Sequence, residues 1–497
     1  MMKNKLFISS IFILTFIICK GQNTDTYLGI GSGLRTIAKN HKISSLPVSI
    51  DSIIDMSDVK YYLEPKKHIV TFETQPIKAA KLKIVEPLNT LYSGYVKFGA
   101  GSYLMPILDA NYNSTRSKDN SWGVNLLHHS ALGEIEGLGN NTFSNNAIKG
   151  NYKHFLLYQD LDFSLNYTRD SYHFYGFNNN DTLIPSAYIE NADTILQTYN
   201  LLEFSSNFSS RNTGRDTSKL NYKTSLYYHF LNNKIGVQEH NIVAGAEFGK
   251  FLLNEEFAGT IELDINNLTQ PNWTNDSLGW VTDNPSSNTS AIIKLNPHIF
   301  SRGDNWKAKV GLSLQSNINY EAKFYFYPDV ECSYSLFNNL FIPYLGLKGG
   351  LQRNSMNSLR LENPYISSNN DISNTNTKLH LFGGIRGSIS SKLTFNASAS
   401  FKKIDSMYLF VADTISSYEN KFSLIYDNLD ITNFSGQITY QKSEKLKLFA
   451  LANYYLYSPL VQDYAWQMPE YSLTFGSWYD IADKIIVKGN INLLGSR

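Results

Sequence analysis

The stretch Glu321-Ala-Lys-Phe-Tyr-Phe-Tyr-Pro-Asp-Val-Glu-Cys-Ser-Tyr-Ser-Leu336 alternates between apolar and polar side chains over sixteen residues. The set that starts at Ala322 is apolar or aromatic, and the set that starts at Glu321 is charged or carries a hydroxyl. Because successive side chains of a strand point to opposite faces, the stretch predicts a strand with one apolar and one polar face. It exceeds a soluble strand of about 5–6 residues. An outer-membrane β-barrel requires this pattern, with apolar side chains toward lipid and polar ones toward a wet lumen.

The same alternation recurs from Leu91 to the end of the chain, for example in Tyr222–Phe230, Trp306–Gln315, Leu393–Lys402 and Leu446–Leu456. A soluble β-sandwich also alternates, but it does not normally sustain the pattern over such a length without another kind of element. The sequence therefore predicts an all-β protein, a transmembrane antiparallel up-and-down β-barrel over residues 91–497.

The connections between the predicted strands alternate between short turns and long polar loops, as periplasmic turns and extracellular loops do. The long loops are expected near residues 131–149, 178–196, 269–287, 354–376, 405–432 and 458–467. We count about 19 strands, whereas single-chain bacterial barrels have an even number. Either one strand is miscounted, or the barrel lacks its last strands in this chain.

Composition agrees with a barrel. The chain has 497 residues, a formal net charge of +1 and an aromatic content of 14%. Such an aromatic content is typical of barrels with aromatic girdles at both membrane interfaces. The charge balance gives no indication of a nucleic-acid partner, and a mean hydropathy of −0.27 argues against a helical membrane protein.

The first 21 residues predict a signal peptide. Lys3 and Lys5 form a basic region, Leu6–Ile18 is too short to span a bilayer, and Cys19 and Gly21 suit cleavage before Gln22. Acylation at Cys19 is the alternative. Residues 22–90 contain four prolines and only short alternating runs, and we interpret them as a periplasmic N-terminal segment.

Several segments resemble a Bacteroidota family of outer-membrane barrels labelled TonB-dependent receptor-like. Leu91–Tyr103 looks like the family's opening strand and follows Pro76–Leu82 as it does there, while Tyr175-Gly-Phe177 and Tyr327-Pro-Asp329 resemble later strands. The resemblance implies a barrel of about 22 strands, with further strands after Gly495.

The same resemblance raises the question of a plug, the folded domain that fills a TonB-dependent transporter. Only Gln22–Thr90 precede the barrel in this sequence, which is short for such a domain. We therefore expect a plugless barrel.

The polar faces of the predicted strands supply the candidate site residues. The candidate lumen-facing residues are Lys307, Lys309, Glu321, Lys323, Tyr325, Tyr327, Asp329, Glu331 and Arg386. Because they carry both signs of charge, they argue against a strongly ion-selective pore. Tyr325 and Tyr327 either stack on a sugar or fill the interior.

No catalytic motif of the Gly-x-Ser-x-Gly or His-Glu-x-x-His kind occurs, and the adjacent His128 and His129 would point to opposite faces of a strand. The sequence therefore predicts no enzyme, no cofactor and no metal site. The leading hypothesis is transport or passive diffusion of small solutes across a Gram-negative outer membrane, in contact with outer-membrane lipid. The alternative is a non-transporting structural or accessory subunit of an envelope-biogenesis complex, which docks a periplasmic or envelope partner through residues 22–90.

Overall fold

The computed structural model describes residues 91–496, except for 134, 136–138, 178–191, 212–218, 253–254, 277–278, 320, 415–418 and 483. The side chains of residues 272–284 are likewise outside the description. The predicted signal peptide (1–21) and periplasmic segment (22–90) therefore lie outside the described residues.

Strands dominate the described chain. They are β1 (Gly94–Gly101), β2 (Met105–Asn113), β3 (Asn120–Ala131), β4 (Phe143–Phe155), β5 (Gln159–His173), β6 (Leu196–Ser210), β7 (Asn221–Asn233), β8 (Gln238–Leu252), β9 (Glu255–Asp276), β10 (Gly279–Arg302), β11 (Trp306–Ile318), β12 (Ala322–Tyr334), β13 (Ile342–Gln352), β14 (Thr375–Ser390), β15 (Leu393–Ala412), β16 (Phe422–Ser443), β17 (Leu446–Pro459), β18 (Tyr471–Ile481) and β19 (Ile485–Leu494). Two short helices, α1 (Ala192–Ile195) and α2 (Met356–Glu362), lie in connections. Neither helix of the described chain is long and apolar enough to cross a membrane.

All nineteen strands form one sheet in which each strand pairs antiparallel with the next along the chain. This up-and-down order confirms the predicted fold class, an all-β antiparallel barrel with 19 strands in the described chain. We call the end of the barrel that carries the connections after odd-numbered strands the loop end.

Strand β12 shows the two faces that its sequence predicts. Phe324 and Phe326 are 73% and 72% exposed, whereas Tyr327 and Asp329 are 3% and 7% exposed. The strand ends at Tyr334, earlier than the sixteen-residue pattern, because Phe337 and Asn338 adopt positive φ angles of 50° and 54° in the following turn. A left-handed backbone at two successive residues cannot continue a strand.

Three predicted long loops are wrong in their extent. The expected loop 131–149 is shorter, because β4 already starts at Phe143. The expected loop 269–287 is a hairpin of β9 and β10, whose ladder runs on to the pair Gly279 and Asp276. The expected loop 405–432 shrinks to residues 413–421, because β15 runs to Ala412 and β16 starts at Phe422. Polar side chains concealed the extension of β9 and β10: a ladder is held by backbone hydrogen bonds, so a strand can continue with polar side chains on both faces. The extension of β15 is instead largely apolar over Met407–Ala412.

Candidate functional site

Half of the residues in the connection between β13 and β14, residues 353–374, are buried, and we call this connection the inward segment. It contains α2, which begins at the N-cap Ser355 with a reciprocal capping box to Ser358. Met356, Leu359 and Ile366 are at most 1% exposed. Connecting segments normally run over the surface with exposed backbone, so a buried connection of this length is a structural element of the barrel interior.

An apolar cluster ties the inward segment to two separate parts of the wall. Met356, Leu359 and Ile366 pack with residues of β6, β7, β9 and β15 and of the β7–β8 turn, namely Tyr199, Leu201, Leu231, Val237, Leu268 and Phe410. Strands β9 and β15 are six positions apart in the sheet. The inward segment therefore spans the interior between walls that are not neighbours.

Two buried arginines of the inward segment pair with carboxylates on the wall. Arg353 Nε lies 3.3 Å from Asp264 Oδ1 on β9, and its Nη2 donates to the Asp264 carbonyl at 2.9 Å. Arg360 Nη1 donates to Asp170 Oδ2 on β5 at 3.0 Å, and its guanidinium lies 5.2 Å from the centroid of the Tyr199 ring. Buried charges are tolerated only when paired, so these contacts fix the position of the segment.

Glu239 on β8 forms a third charged anchor. Its side chain is fully buried, and its Oε2 accepts a hydrogen bond from the backbone N–H of Asn357, in the first turn of α2, at 3.1 Å. A carboxylate is favourable at the N-terminal end of a helix, where backbone N–H groups lack helical partners. His229 Nε2 lies 3.4 Å from Glu239 Oε1 on the other side.

Polar wall residues form further hydrogen bonds with the inward segment. The Gln270 amide donates to the carbonyls of Ser368 and Asn370 at 3.2 and 2.9 Å. The Tyr408 hydroxyl donates to Glu362 at 2.6 Å. Burial, with a hydrogen bond to Tyr175, raises the pKa of Tyr365 in this segment, so its phenol stays neutral. The segment is therefore a well-anchored element rather than a free loop.

A polar cavity of about 530 Å³ lies at the loop end between the inward segment and strands β9–β15. Seven asparagines line it: Asn266, Asn288, Asn317, Asn319, Asn354, Asn374 and Asn376. Tyr325 and Tyr327 line it as well, with their rings nearly parallel (9°) and their centroids 6.1 Å apart. The Tyr327 hydroxyl donates to Asn376 Oδ1 at 2.7 Å, which fixes that ring.

Several of the predicted lumen-facing residues form ion pairs along the polar face of β11–β13. Lys309 Nζ lies 2.6 Å from Asp329 Oδ2, which also accepts from Asn296 at 2.8 Å. Lys348 Nζ lies 2.9 Å from Glu331 Oε1. The structure thus brings Lys309 and Asp329 together and pairs Glu331 with Lys348.

The other predicted residues are more scattered. Lys323 lines the cavity beside Tyr325, whereas Lys307 and Glu321 are exposed near the two ends of the hairpin. Arg386 is exposed, and its guanidinium lies 5.3 Å from the centroid of the Tyr344 ring. The lumen-facing assignment of the whole set stays a prediction.

The inward segment is the feature that sequence reasoning missed. We expected residues 354–376 to form an external polar loop, because most of them are polar. One local signal was available, the three-residue spacing of Met356 and Leu359 directly after Ser355, a residue type that caps helices. Nothing local connects Arg353 to Asp264, which lies 89 positions earlier.

Comparisons with known proteins show which solved structures the fold is similar to. No family model matches the chain, and no curated protein matches its sequence. Among solved structures, the chain is similar to the copper transporter OprC, with 13% identity and a TM-score of 0.54 over 78% of this chain. It is similar to the ferric enterobactin receptor PfeA of Pseudomonas aeruginosa, with 13% identity and a TM-score of 0.58 over 81% of this chain. It is also similar to the siderophore receptor PirA of Acinetobacter baumannii, with 10% identity and a TM-score of 0.59 over 80%.

The chain spans only part of these proteins, 64% of the copper transporter and 67% of each of the two siderophore receptors. At such identities the likeness concerns the fold. The chain therefore has a β-barrel fold similar to that of these proteins.

Proposed function

We propose that this chain moves small solutes across the outer membrane by capturing them at the loop end, rather than by free diffusion through an open lumen. The fold supports transport, since the similar structures carry the names of a copper transporter and of siderophore receptors. In this proposal the loop end faces the outside of the cell. The expectation of a plugless barrel rests on the length of residues 22–90, which lie outside the described part of the chain.

The observation that carries the proposal is the inward segment. It is anchored to β5 by Arg360, to β8 by Asn357 and to β9 by Arg353, while Phe410 of β15 packs against it from another part of the wall. A segment held in this way obstructs the lumen near the loop end. The sequence left transport and passive diffusion open, and we therefore favour transport that begins with solute capture.

The test is the conductance of the purified full-length protein in planar bilayers. Gln352 and Thr375 are register partners at the ends of β13 and β14. Residues 353–374 can therefore be replaced by a two-residue Asn-Gly turn, which suits a hairpin between directly paired positions. We expect a small conductance for the natural chain and one at least about tenfold larger for the shortened variant, because an open barrel carries ions through its aqueous channel.

A large, steady conductance of the natural chain would overturn the proposal, and so would equal conductances of the two proteins. Far-UV circular dichroism and heat-modifiable migration in gels establish that the shortened variant is folded. The matched control is an Asn-Gly replacement of Ser391 and Lys392, which already form a two-residue connection between β14 and β15. It should leave the conductance unchanged.

A further inference from the structure

We infer that the cavity between the inward segment and β9–β15 binds an uncharged, hydroxyl-rich solute, namely a small neutral oligosaccharide. This inference rests on the proposed transport function, because it names the substrate class of the same site. Its support comes from the chemistry of the cavity wall: amide groups, a tyrosine platform and charges that are already paired. At about 530 Å³ the cavity lies within the range of about 300–1,000 Å³ typical of small-molecule sites.

The amide groups match the hydrogen-bonding character of sugar hydroxyls. Each asparagine side chain offers two N–H donors and one carbonyl acceptor, and each hydroxyl both donates and accepts. Asn374 Nδ2 donates to Asn317 Oδ1 at 3.2 Å, which holds these two amides together at the cavity wall. Asn266 is 5% exposed, and its Oδ1 finds no hydrogen-bond partner among the described residues. The seven asparagines therefore give the wall amide donors and acceptors that match a polar ligand.

The tyrosine pair supplies an apolar platform. Tyr327 is fixed between neighbours, since a Cβ on Gly349 would come within 2.4 Å of its ring and Tyr325 lies parallel to it. Tyr325 is less buried than Tyr327 and also lines the cavity. A sugar ring has a face of C–H groups, and an aromatic ring accepts such a face while its hydroxyl remains hydrated. Tyr325 is therefore the stacking residue of the site, and Tyr327 supports it.

The charges of the wall argue against an ionic ligand. Lys378 Nζ lies 2.5 Å from Asp405 Oδ2, and Arg353 is paired with Asp264. These pairs neutralise two of the three cations that line the cavity, and the third, Lys323, is exposed to solvent. A site for a polyanion would present several cations free to pair with it. The wall therefore favours a ligand that is polar but uncharged.

The inward segment forms one side of the cavity through Arg353, Asn354, Ser373 and Asn374. A ligand in the cavity thus touches the wall strands and the inward segment at once. A ligand that binds more tightly when the segment is docked therefore stabilises the docked position of the segment.

The test is equilibrium binding by the full-length protein in detergent micelles. The probes are neutral malto-, xylo-, manno- and chito-oligosaccharides, with citrate as the anionic probe, and calorimetry follows on the tightest binder. We expect at least one oligosaccharide to bind and citrate not to bind. Tyr325→Ala should weaken binding by about tenfold, which is the loss of about 1.4 kcal/mol of aromatic contact. Lys323→Ala should change binding by less than about twofold, since an exposed cation adds little to an uncharged ligand.

The matched control is Tyr454→Ala, because Tyr454 is an exposed tyrosine on β17, away from the cavity. It should bind as the natural chain does. Absence of binding across the oligosaccharide panel would overturn the inference, and so would full affinity in Tyr325→Ala or citrate binding that Lys323→Ala abolishes. Binding in micelles requires no transport. If the protein binds sugar but conducts as an open pore, this inference holds and the proposed capture mechanism fails. If the protein has a small conductance but binds no sugar, the capture mechanism holds and this inference fails.

Discussion

Removing the Arg353 side chain should release the inward segment from β9. In Arg353→Ala the fully buried Asp264 loses the cation beside it, together with the donors to its carbonyl and to Ser290. Breaking a buried ion pair by deleting one partner costs about 3–5 kcal/mol. At 1.4 kcal/mol per factor of ten, the docked segment should open between about a hundredfold and several thousandfold more often.

Hydrogen exchange of backbone amides in the detergent-solubilised protein measures this opening. Peptides that cover α2 should exchange faster by that factor, because the amides of Leu359 and Asn363 bond only within the segment. Peptides from β17, which does not contribute to the cluster that holds the segment, should exchange at the natural rate. Exchange in α2 that stays within about threefold of the natural chain would refute the reasoning.

Two further variants separate the ion pair from general damage. Arg353→Met combined with Asp264→Leu replaces both charges by apolar groups, so much of the loss should be recovered, since the burial of an unpaired charge is avoided. Lys403→Met removes an exposed ion pair with Asp430, whose N–O distance is 3.9 Å. An exposed pair contributes about 0–1 kcal/mol, and α2 should keep its natural exchange rate in that variant.

Three other changes test the remaining parts of the argument. Ser355→Ala removes the N-cap of α2 and should destabilise the docked segment by about 0.5–2 kcal/mol, seen as faster exchange in α2. Ser358→Ala should destabilise the segment less, and a larger effect of Ser358→Ala would contradict the role of Ser355 as the N-cap. Leu359→Ala should cost about 2–5 kcal/mol in the same assay, because the side chain is 1% exposed in the apolar cluster, and an unchanged rate would show that the cluster does not hold the segment. Val310→Arg, at a position 58% exposed on the outer face of β11, should destabilise the barrel in lipid by about 2–4 kcal/mol in urea titrations. Asp304→Arg, in the adjoining turn, is its control, and equal stabilities would mean that this face does not meet lipid.

Local pattern accounts for much of the barrel. The alternation of Phe324 and Phe326 with Tyr327 and Asp329 predicted both the strand and its two faces, since side-chain direction in a strand depends only on neighbouring residues. Strand number and antiparallel order followed from the same period of two and from the turns. The alternating pattern did not predict polar strand extensions such as the end of β9, because their ladders do not require an apolar face.

The inward segment could not be predicted in this way. Its position depends on Arg353 meeting Asp264, and on Arg360 meeting Asp170, across sequence separations of 89 and 190 residues. The sequence by itself determined an up-and-down barrel whose strands enclose an interior. Only the tertiary structure decided that a connection fills part of that interior and borders an asparagine-lined cavity, because burial of a polar segment becomes favourable only when partners from distant strands satisfy its charges and hydrogen bonds.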